Sequence, residues 1–70
     1  MKKKHGWILE CIWYTPKCFV NGALYTQFVQ DAQVYLTRSD ARVCRLLGIE
    51  TVRKVSLSNS GKITCIIPGR

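Results

Sequence analysis

The segment from Thr37 to Gly48 carries the start and stop signals of one short helix, and it constrains the fold more than any other stretch. Thr37 can cap the first turn, and Asp40 stands three residues later, where an acidic side chain also favours the positive helix N-terminus. Gly48 suits the left-handed residue that ends a helix, with Ile49 folding back in a Schellman-type contact. We therefore predict a helix over residues 38–47, which is short enough to depend on packing for its stability.

The residues before this helix alternate with the period of strands. Residues 7–14 (WILECIWY) are largely apolar on both alternating faces, which predicts a central strand, and Pro16 ends it because proline cannot donate a ladder hydrogen bond. Asn21-Gly22 lies between two short apolar runs and predicts a hairpin with a type I′ turn, in which both central residues have positive φ. Residues 32–36 are predicted to form a further short strand.

The residues after the helix predict a second hairpin, with strands over 52–57 and 62–67 and a turn over 58–61. Val55 and Leu57 share one face of its first strand, and Ile63, Cys65 and Ile67 are predicted to share one face of its second. The order of elements predicts an α+β fold: a mainly antiparallel sheet of about four to six short strands with one helix packed on one face.

The length of 70 residues predicts one small domain over 6–70, preceded by a flexible basic arm over 1–5. Such a chain has no room for a second domain or a deep substrate cleft. The apolar run near the start is broken by Glu10 and is followed by bulky aromatic residues, so it does not match a signal peptide. No segment approaches the roughly 18 apolar residues of a membrane span. We therefore expect no membrane association and a cytoplasmic location, in the host cytoplasm for a phage-encoded protein.

The chain is basic, with eleven Lys and Arg residues against four acids and a net charge of +7. A charge of this sign raises the local concentration of anionic partners. Arg38, Arg42 and Arg45 fall on one narrow stripe of the predicted helix, with no acid at helical spacing to neutralise them. The neighbouring face of the helix is predicted to be buried against the sheet, and it consists of Val43, Leu46 and Leu47.

We predict that the arginine stripe docks on an acidic protein surface or nucleoprotein complex, because guanidinium groups bind carboxylates and phosphates bidentately. The alternative is a solvated face whose arginines pair with Glu50, Glu10 or Asp31 of the same chain. The predicted partner-binding residues are Arg38, Arg42, Arg45, Lys2, Lys3, Lys4, Arg53 and Lys54.

Direct DNA or RNA binding is the second hypothesis, since basic groups interleaved with aromatic residues are what a base-stacking platform needs. In so small a domain, however, Trp and Phe residues are mostly core residues. The sequence has no basic-aromatic RNA-binding consensus, and one helix cannot supply a helix-turn-helix pair. A third hypothesis is a structural subunit that pairs an exposed strand edge with a second copy as a homodimer.

The four cysteines do not have the spacing of a zinc site, and no cofactor or metal is expected. Cys11 and Cys65 are predicted to be small core residues, Cys44 is expected to be partly exposed, and a Cys11–Cys18 disulfide is left as an alternative to reduced thiols. His5, the one histidine, falls in the predicted arm, and the carboxylates are scattered. An enzyme is therefore not expected.

The stretches GWILEC, KCFVNG, DAQVYLTRSDA and VRKVSL, with a helix closing in LLG, resemble a class of short proteins from phages and prophages. The resemblance covers residues 7–57 and leaves out the tail KITCIIPGR. It implies a mobile-element origin and a binding role, commonly the inhibition of a host component, and it transfers no functional residues. The positions that fit its rhythm are Asp31, Ala32, Tyr35, Thr37, Asp40 and Ala41.

The combined prediction is a small basic non-enzymatic binding protein that acts as an inhibitor or regulator, for example in anti-defence.

Overall fold

The computed structural model describes residues 4–13 and 17–67. Its elements are β1 (Lys4–Cys11), β2 (Cys18–Asn21), β3 (Leu24–Thr26), a 3-10 turn (Val29–Asp31), α1 (Arg38–Cys44), β4 (Glu50–Leu57) and β5 (Ile63–Ile66). The strands form one antiparallel sheet in the order β3-β2-β1-β4-β5. The predicted α+β fold, with one α-helix beside an antiparallel sheet, is therefore confirmed.

β1 is the central strand, as its two apolar faces predicted. Ile8 and Leu9 point to opposite faces and are both fully buried. β1 pairs with β4 along its whole length, from Lys4 opposite Leu57 to Cys11 opposite Glu50. The strand begins and ends three residues earlier than predicted, so Lys4 and His5 belong to the sheet. Tyr14, the predicted end of the strand, and Pro16 lie outside the described residues.

The predicted first hairpin is present, but its turn is not the predicted one. Asn21 pairs with Leu24, so the two loop residues are Gly22 and Ala23. Gly22 has a φ of +63°, whereas no residue other than glycine has positive φ within the described ranges. Positive φ at the first loop position alone is the pattern of a type II′ turn. The side-chain oxygen of Gln33 accepts a hydrogen bond from the Gly22 N–H at 3.0 Å and holds the turn in this position.

The predicted strand over 32–36 is reduced to one bridge between Tyr35 and Trp7 of β1. Tyr35 and Trp7 exchange both backbone hydrogen bonds, at 2.7 and 2.9 Å, while the N–H of Gln33 bonds to Val20 of β2 at 2.9 Å. Residues 32–36 therefore bond to β2 at one position and to β1 two residues later, so they do not form a continuous strand beside either.

One apolar cluster fills one face of the sheet, which we call the core face. Its buried members are Ile8, Phe19, Ala32, Val55 and Ile63. The segment after β3 crosses this face, so Val29 and Val34 pack against the cluster. A methyl group at Gly6 would lie 2.6 Å from Cγ1 of Val34, which shows how closely the segment approaches β1.

The second hairpin is present, with a register shift between Ser56 and Leu57. Because a one-residue shift moves the following side chains to the other face, Ile63 is buried whereas Cys65 is exposed. The prediction that Ile63, Cys65 and Ile67 share one face is wrong, and so is the prediction of Cys65 as a core residue. Ile66 takes the place opposite Val55.

The helix begins as predicted and ends early. Oγ1 of Thr37 accepts a hydrogen bond from the Asp40 N–H at 3.1 Å, which confirms the cap. The predicted end at residue 47 is wrong, because Arg45 is already extended, with φ of −74° and ψ of 150°. The N–H of Leu46 instead donates to the side-chain carboxylate of Glu50 at 3.1 Å. Gly48 has the predicted positive φ, +79°, but in the separate turn that follows.

Candidate protein-contact surface

Two of the three arginines predicted as a stripe lie on α1. Arg38 and Arg42 are four residues apart on the helix and both are exposed. Arg45 follows the last helical residue in an extended conformation, and it is half-buried. The three therefore do not share one helical face, because the helix ends before the third.

No carboxylate of the described chain forms an ion pair with Arg38, Arg42 or Arg45. Two of the acids proposed as their partners are engaged elsewhere. Glu10 pairs with Arg53 at 2.7 Å and with Lys17 at 3.3 Å, and Glu50 accepts hydrogen bonds from Tyr25 and from the Leu46 N–H. Nε of Arg45 is buried without a hydrogen-bond partner. The alternative in which own-chain acids neutralise the arginines thus does not hold within residues 4–13 and 17–67.

The other basic residues predicted as partner-binding occupy different parts of the sheet where the structure describes them. Lys4 lies at the end of β1 that faces Leu57, and its Nζ donates to Asn59 O at 3.4 Å. Arg53 donates to Glu10 from the core face. Nζ of Lys54 lies 6.0 Å from the centre of the Trp7 ring. Lys2 and Lys3 lie outside the described residues. Arg53 and Lys54 are adjacent on β4 and therefore point to opposite faces of the sheet, so the described basic residues do not share one surface.

The apolar residues predicted to bury α1 are exposed, which corrects the predicted packing. Val43 is 84% exposed, Leu47 79% and Leu46 54%. Since the helix ends at Cys44, both leucines lie in the turn beyond it. The helix packs on β1 and β4, and Ala41 is its one buried residue. Because alanine is small, the helix lies on the sheet without burying its larger apolar residues.

Two exposed residues after β1 lie against the same turn. The N–H of Ile12 donates to Ile49 O at 2.8 Å, and Nε1 of Trp13 donates to Gly48 O, also at 2.8 Å. Trp13 is 72% exposed. We call the exposed apolar residues of these two paragraphs the apolar end of the molecule. It consists of Ile12, Trp13, Val43, Leu46 and Leu47.

A cavity of about 420 Å³ lies between the β2–β3 hairpin and the chain that follows α1. Leu46 belongs both to its wall and to the apolar end, and Leu24, also exposed, lines the opposite side. The rest of its lining consists of Val20, Gly22, Ala23, Tyr25, Tyr35, Cys44 and Glu50.

The buried carboxylate of Glu50 organises this region. One oxygen accepts a hydrogen bond from Tyr25 OH at 2.6 Å and the other accepts the Leu46 N–H at 3.1 Å. The bond to the Glu50 carboxylate, with some burial, raises the pKa of the Tyr25 phenol well above its usual range. Burial likewise raises the pKa of Tyr35. Glu50 therefore fixes the turn that displays the two leucines.

The cysteines form no disulfide among the described residues. Cys11 is fully buried, as predicted, and Cys44 is exposed. Cys11 and Cys18 are directly opposite each other on β1 and β2, and no disulfide joins them. No group of three His, Cys, Asp or Glu side chains suited to a metal ion occurs in ranges 4–13 and 17–67.

Comparison with protein-family models, curated proteins and solved structures finds no match to this chain. Among the helices in the described part of the chain, none has the length and apolar character needed to cross a membrane.

The sequence did not predict the apolar end or the Tyr25–Glu50 contact. One signal for the first was present: Glu50 stands four residues after Leu46, within reach of its N–H, and can compete with helix formation. The second joins residues 25 positions apart and has no local signature.

Proposed function

We propose that this chain is a small non-enzymatic binding protein of phage or mobile-element type. It docks on an acidic surface of a host protein or nucleoprotein complex and acts as an inhibitor or regulator, for example of an antiviral or transcription machine. The observation that carries the proposal is the exposure of Arg38 and Arg42 on α1, with no own-chain carboxylate bound to either within the described residues.

The physical reason is the cost of leaving two like charges side by side. Arginines four residues apart on one helix repel each other by a few tenths of a kcal/mol. A carboxylate-bearing partner removes this repulsion and gains charge-assisted, bidentate hydrogen bonds. The net charge of +7 adds long-range attraction to such a partner.

A pull-down with the tagged full chain from a nuclease-treated bacterial lysate tests the proposal. The charge-reversed variant Arg38→Glu/Arg42→Glu is expected to lose the captured host protein while remaining folded. Lys62→Glu is the matched control for the single variant Arg42→Glu, which should also lose the captured protein, because Lys62 is exposed and lies just before β5. Retention of every captured protein by the α1 variant contradicts the proposal.

Direct binding of DNA or RNA is the second candidate function, and the net charge of +7 favours it. It predicts that affinity falls steeply with salt, and that each removed arginine lowers the slope by about one phosphate contact. Binding to a duplex and to a single strand is measured at salt concentrations from about 50 to about 200 mM. A steep fall in affinity over this range distinguishes nucleic-acid binding from protein binding.

A third candidate is self-assembly through strand edges, since β3 and β5 lie at the two edges of the sheet. It predicts a dimer in sedimentation experiments whose mass is unchanged by Arg38→Glu/Arg42→Glu.

A further inference from the structure

We infer that the partner is a protein segment with apolar anchor side chains flanked by carboxylates, and that it binds on the apolar end of the molecule. This inference rests on the proposed function and names the chemistry of its partner. Three observations carry it: the exposure of the apolar end, the hydrogen bonds that tie it to the sheet, and the charge beside it.

The apolar end is more than single surface leucines. Trp13 and Ile12 are hydrogen-bonded to Gly48 and Ile49 in the turn that follows Leu46 and Leu47, so the two segments that carry these four exposed apolar residues are adjacent at one end of the sheet. Val43 precedes them in the last turn of α1. Contiguous apolar surface on a small soluble domain marks a binding site, whereas scattered apolar residues do not.

Hydrogen bonds tie Trp13 and the turn of the apolar end to the rest of the molecule. The Trp13 indole is fixed to Gly48 O, and the turn is fixed through the bond from the Leu46 N–H to Glu50. Glu50 is itself held by Tyr25. A preorganised surface loses little conformational freedom on binding, and fixed aromatic and aliphatic anchors carry most of the affinity in protein interfaces.

The cavity provides a place for one anchor of the partner. Its wall contains Leu24 and Leu46, and both oxygens of Glu50 at its base already accept hydrogen bonds. An anionic group would be repelled there by the Glu50 carboxylate, while a large apolar side chain would cover the two leucines. The partner segment is therefore expected to place an apolar residue in this cavity.

The charges beside the apolar end select an acidic partner. Arg42 and Arg45 flank Val43 in the sequence, and neither is paired with a carboxylate within the described residues. A second copy would bring like charges together, which disfavours it as the occupant. Nucleic acid phosphates would pair with the arginines but would leave the leucines uncovered.

The test uses the full chain and three synthetic helical peptides. The first has a leucine face and glutamates elsewhere, the second keeps the leucine face with lysines, and the third keeps the glutamates with serines in place of leucines. Chemical-shift titration follows the indole N–H of Trp13. We expect the leucine–glutamate peptide to bind at least tenfold more tightly than either of the other two.

The variant Val43→Ser/Leu47→Ser is expected to weaken this binding tenfold or more. Leu36→Ser is the matched control, because Leu36 is 78% exposed and lies before α1, outside the apolar end. Thermal melts establish that the variants remain folded.

Equal binding of the leucine–glutamate and serine–glutamate peptides overturns the inference and leaves the charge-based proposed function standing. Absence of binding by the leucine–glutamate peptide, or an equal loss in Leu36→Ser, also overturns it. A dimer of the free chain that Val43→Ser/Leu47→Ser dissociates would identify a second copy as the occupant, again against the inference. The lysate experiment tests the proposed function independently of the peptides. There the measurement is whether the Arg38→Glu/Arg42→Glu variant fails to capture the host protein that the wild type captures.

Discussion

The two faces of the sheet are covered in different ways. On the core face, Ile8, Phe19 and Val55 meet a crossing segment that approaches β1 so closely that Gly6 has no room for a side chain. On the other face, which we call the helix face, Leu9 and Cys11 of β1 are fully buried, and α1 packs on β1 and β4 with Ala41 as its one buried residue. The core face is closed by a crossing segment, whereas the end of the helix and the turn beyond it leave valine and leucine side chains exposed.

The largest expected effect is on the core face. Ile8→Ala should lower the free energy of unfolding by about 2–5 kcal/mol, because it removes a fully buried side chain from the central strand. Urea unfolding monitored by circular dichroism measures the change. A domain of this size has only about 3–5 kcal/mol of stability, so the variant should be largely unfolded. A loss below 1 kcal/mol, on the order of an ordinary surface substitution, would contradict the assignment of this face as the core.

Gly6→Ala comes next. The added methyl group would lie 2.6 Å from Val34 Cγ1, and overpacking of this kind costs about 1–3 kcal/mol. The double variant Gly6→Ala/Val34→Ala should recover part of the stability, because it removes the atom that clashes. If the two substitutions simply add their losses, the crossing segment does not pack on Gly6.

Tyr25→Phe tests the helix face and should have a smaller effect, on the order of 1 kcal/mol, since it removes one hydrogen bond to Glu50 at a partly exposed site. The pKa of Tyr25 is raised in the folded state, so its contribution is fully present below the usual phenol pKa of about 10 and is lost as pH rises above it. Melting temperatures between neutral pH and alkaline pH should therefore fall more steeply in the wild type than in Tyr25→Phe. Identical slopes would show that the bond does not form.

The smallest effect is expected at the apolar end. Val43→Ser and Leu47→Ser should each change the free energy of unfolding by no more than about 0.5 kcal/mol, because both side chains are exposed. The same urea experiment measures it, with Ile8→Ala as the reference. Losses of 2 kcal/mol, roughly those of a core residue, would place these side chains in the core and remove the difference between the two faces.

Local patterns predicted the parts of the fold that depend on local chemistry. Apolar residues on both alternating faces predicted β1 as a central strand, and Thr37 predicted the helix start, because capping involves only neighbouring residues. The α+β class followed from the order of such elements. The type of the first turn was missed because a distant side chain, Gln33, holds it.

The errors at the candidate site have long-range or competing causes. Helical periodicity predicted Val43, Leu46 and Leu47 as core residues on the assumption that the helix continues to residue 47. In the structure the helix ends at Cys44, and the N–H of Leu46 donates to the Glu50 carboxylate. The register shift that exposes Cys65 has no sequence marker in the strand itself. Arg38 and Arg42 are exposed on the helix, as the predicted stripe requires. Arg45 is not part of the stripe, because the helix ends before it.

The central claim, that α1 and the apolar end form a protein-contact surface, is tested most directly by one quantitative pull-down. Wild type, Arg38→Glu/Arg42→Glu, Val43→Ser/Leu47→Ser and Leu36→Ser are compared in the same nuclease-treated lysate. We expect one host protein to be captured by the wild type and by Leu36→Ser, and to be lost from both surface variants while they remain folded. Capture of the same proteins in equal amounts by all four chains would contradict the claim.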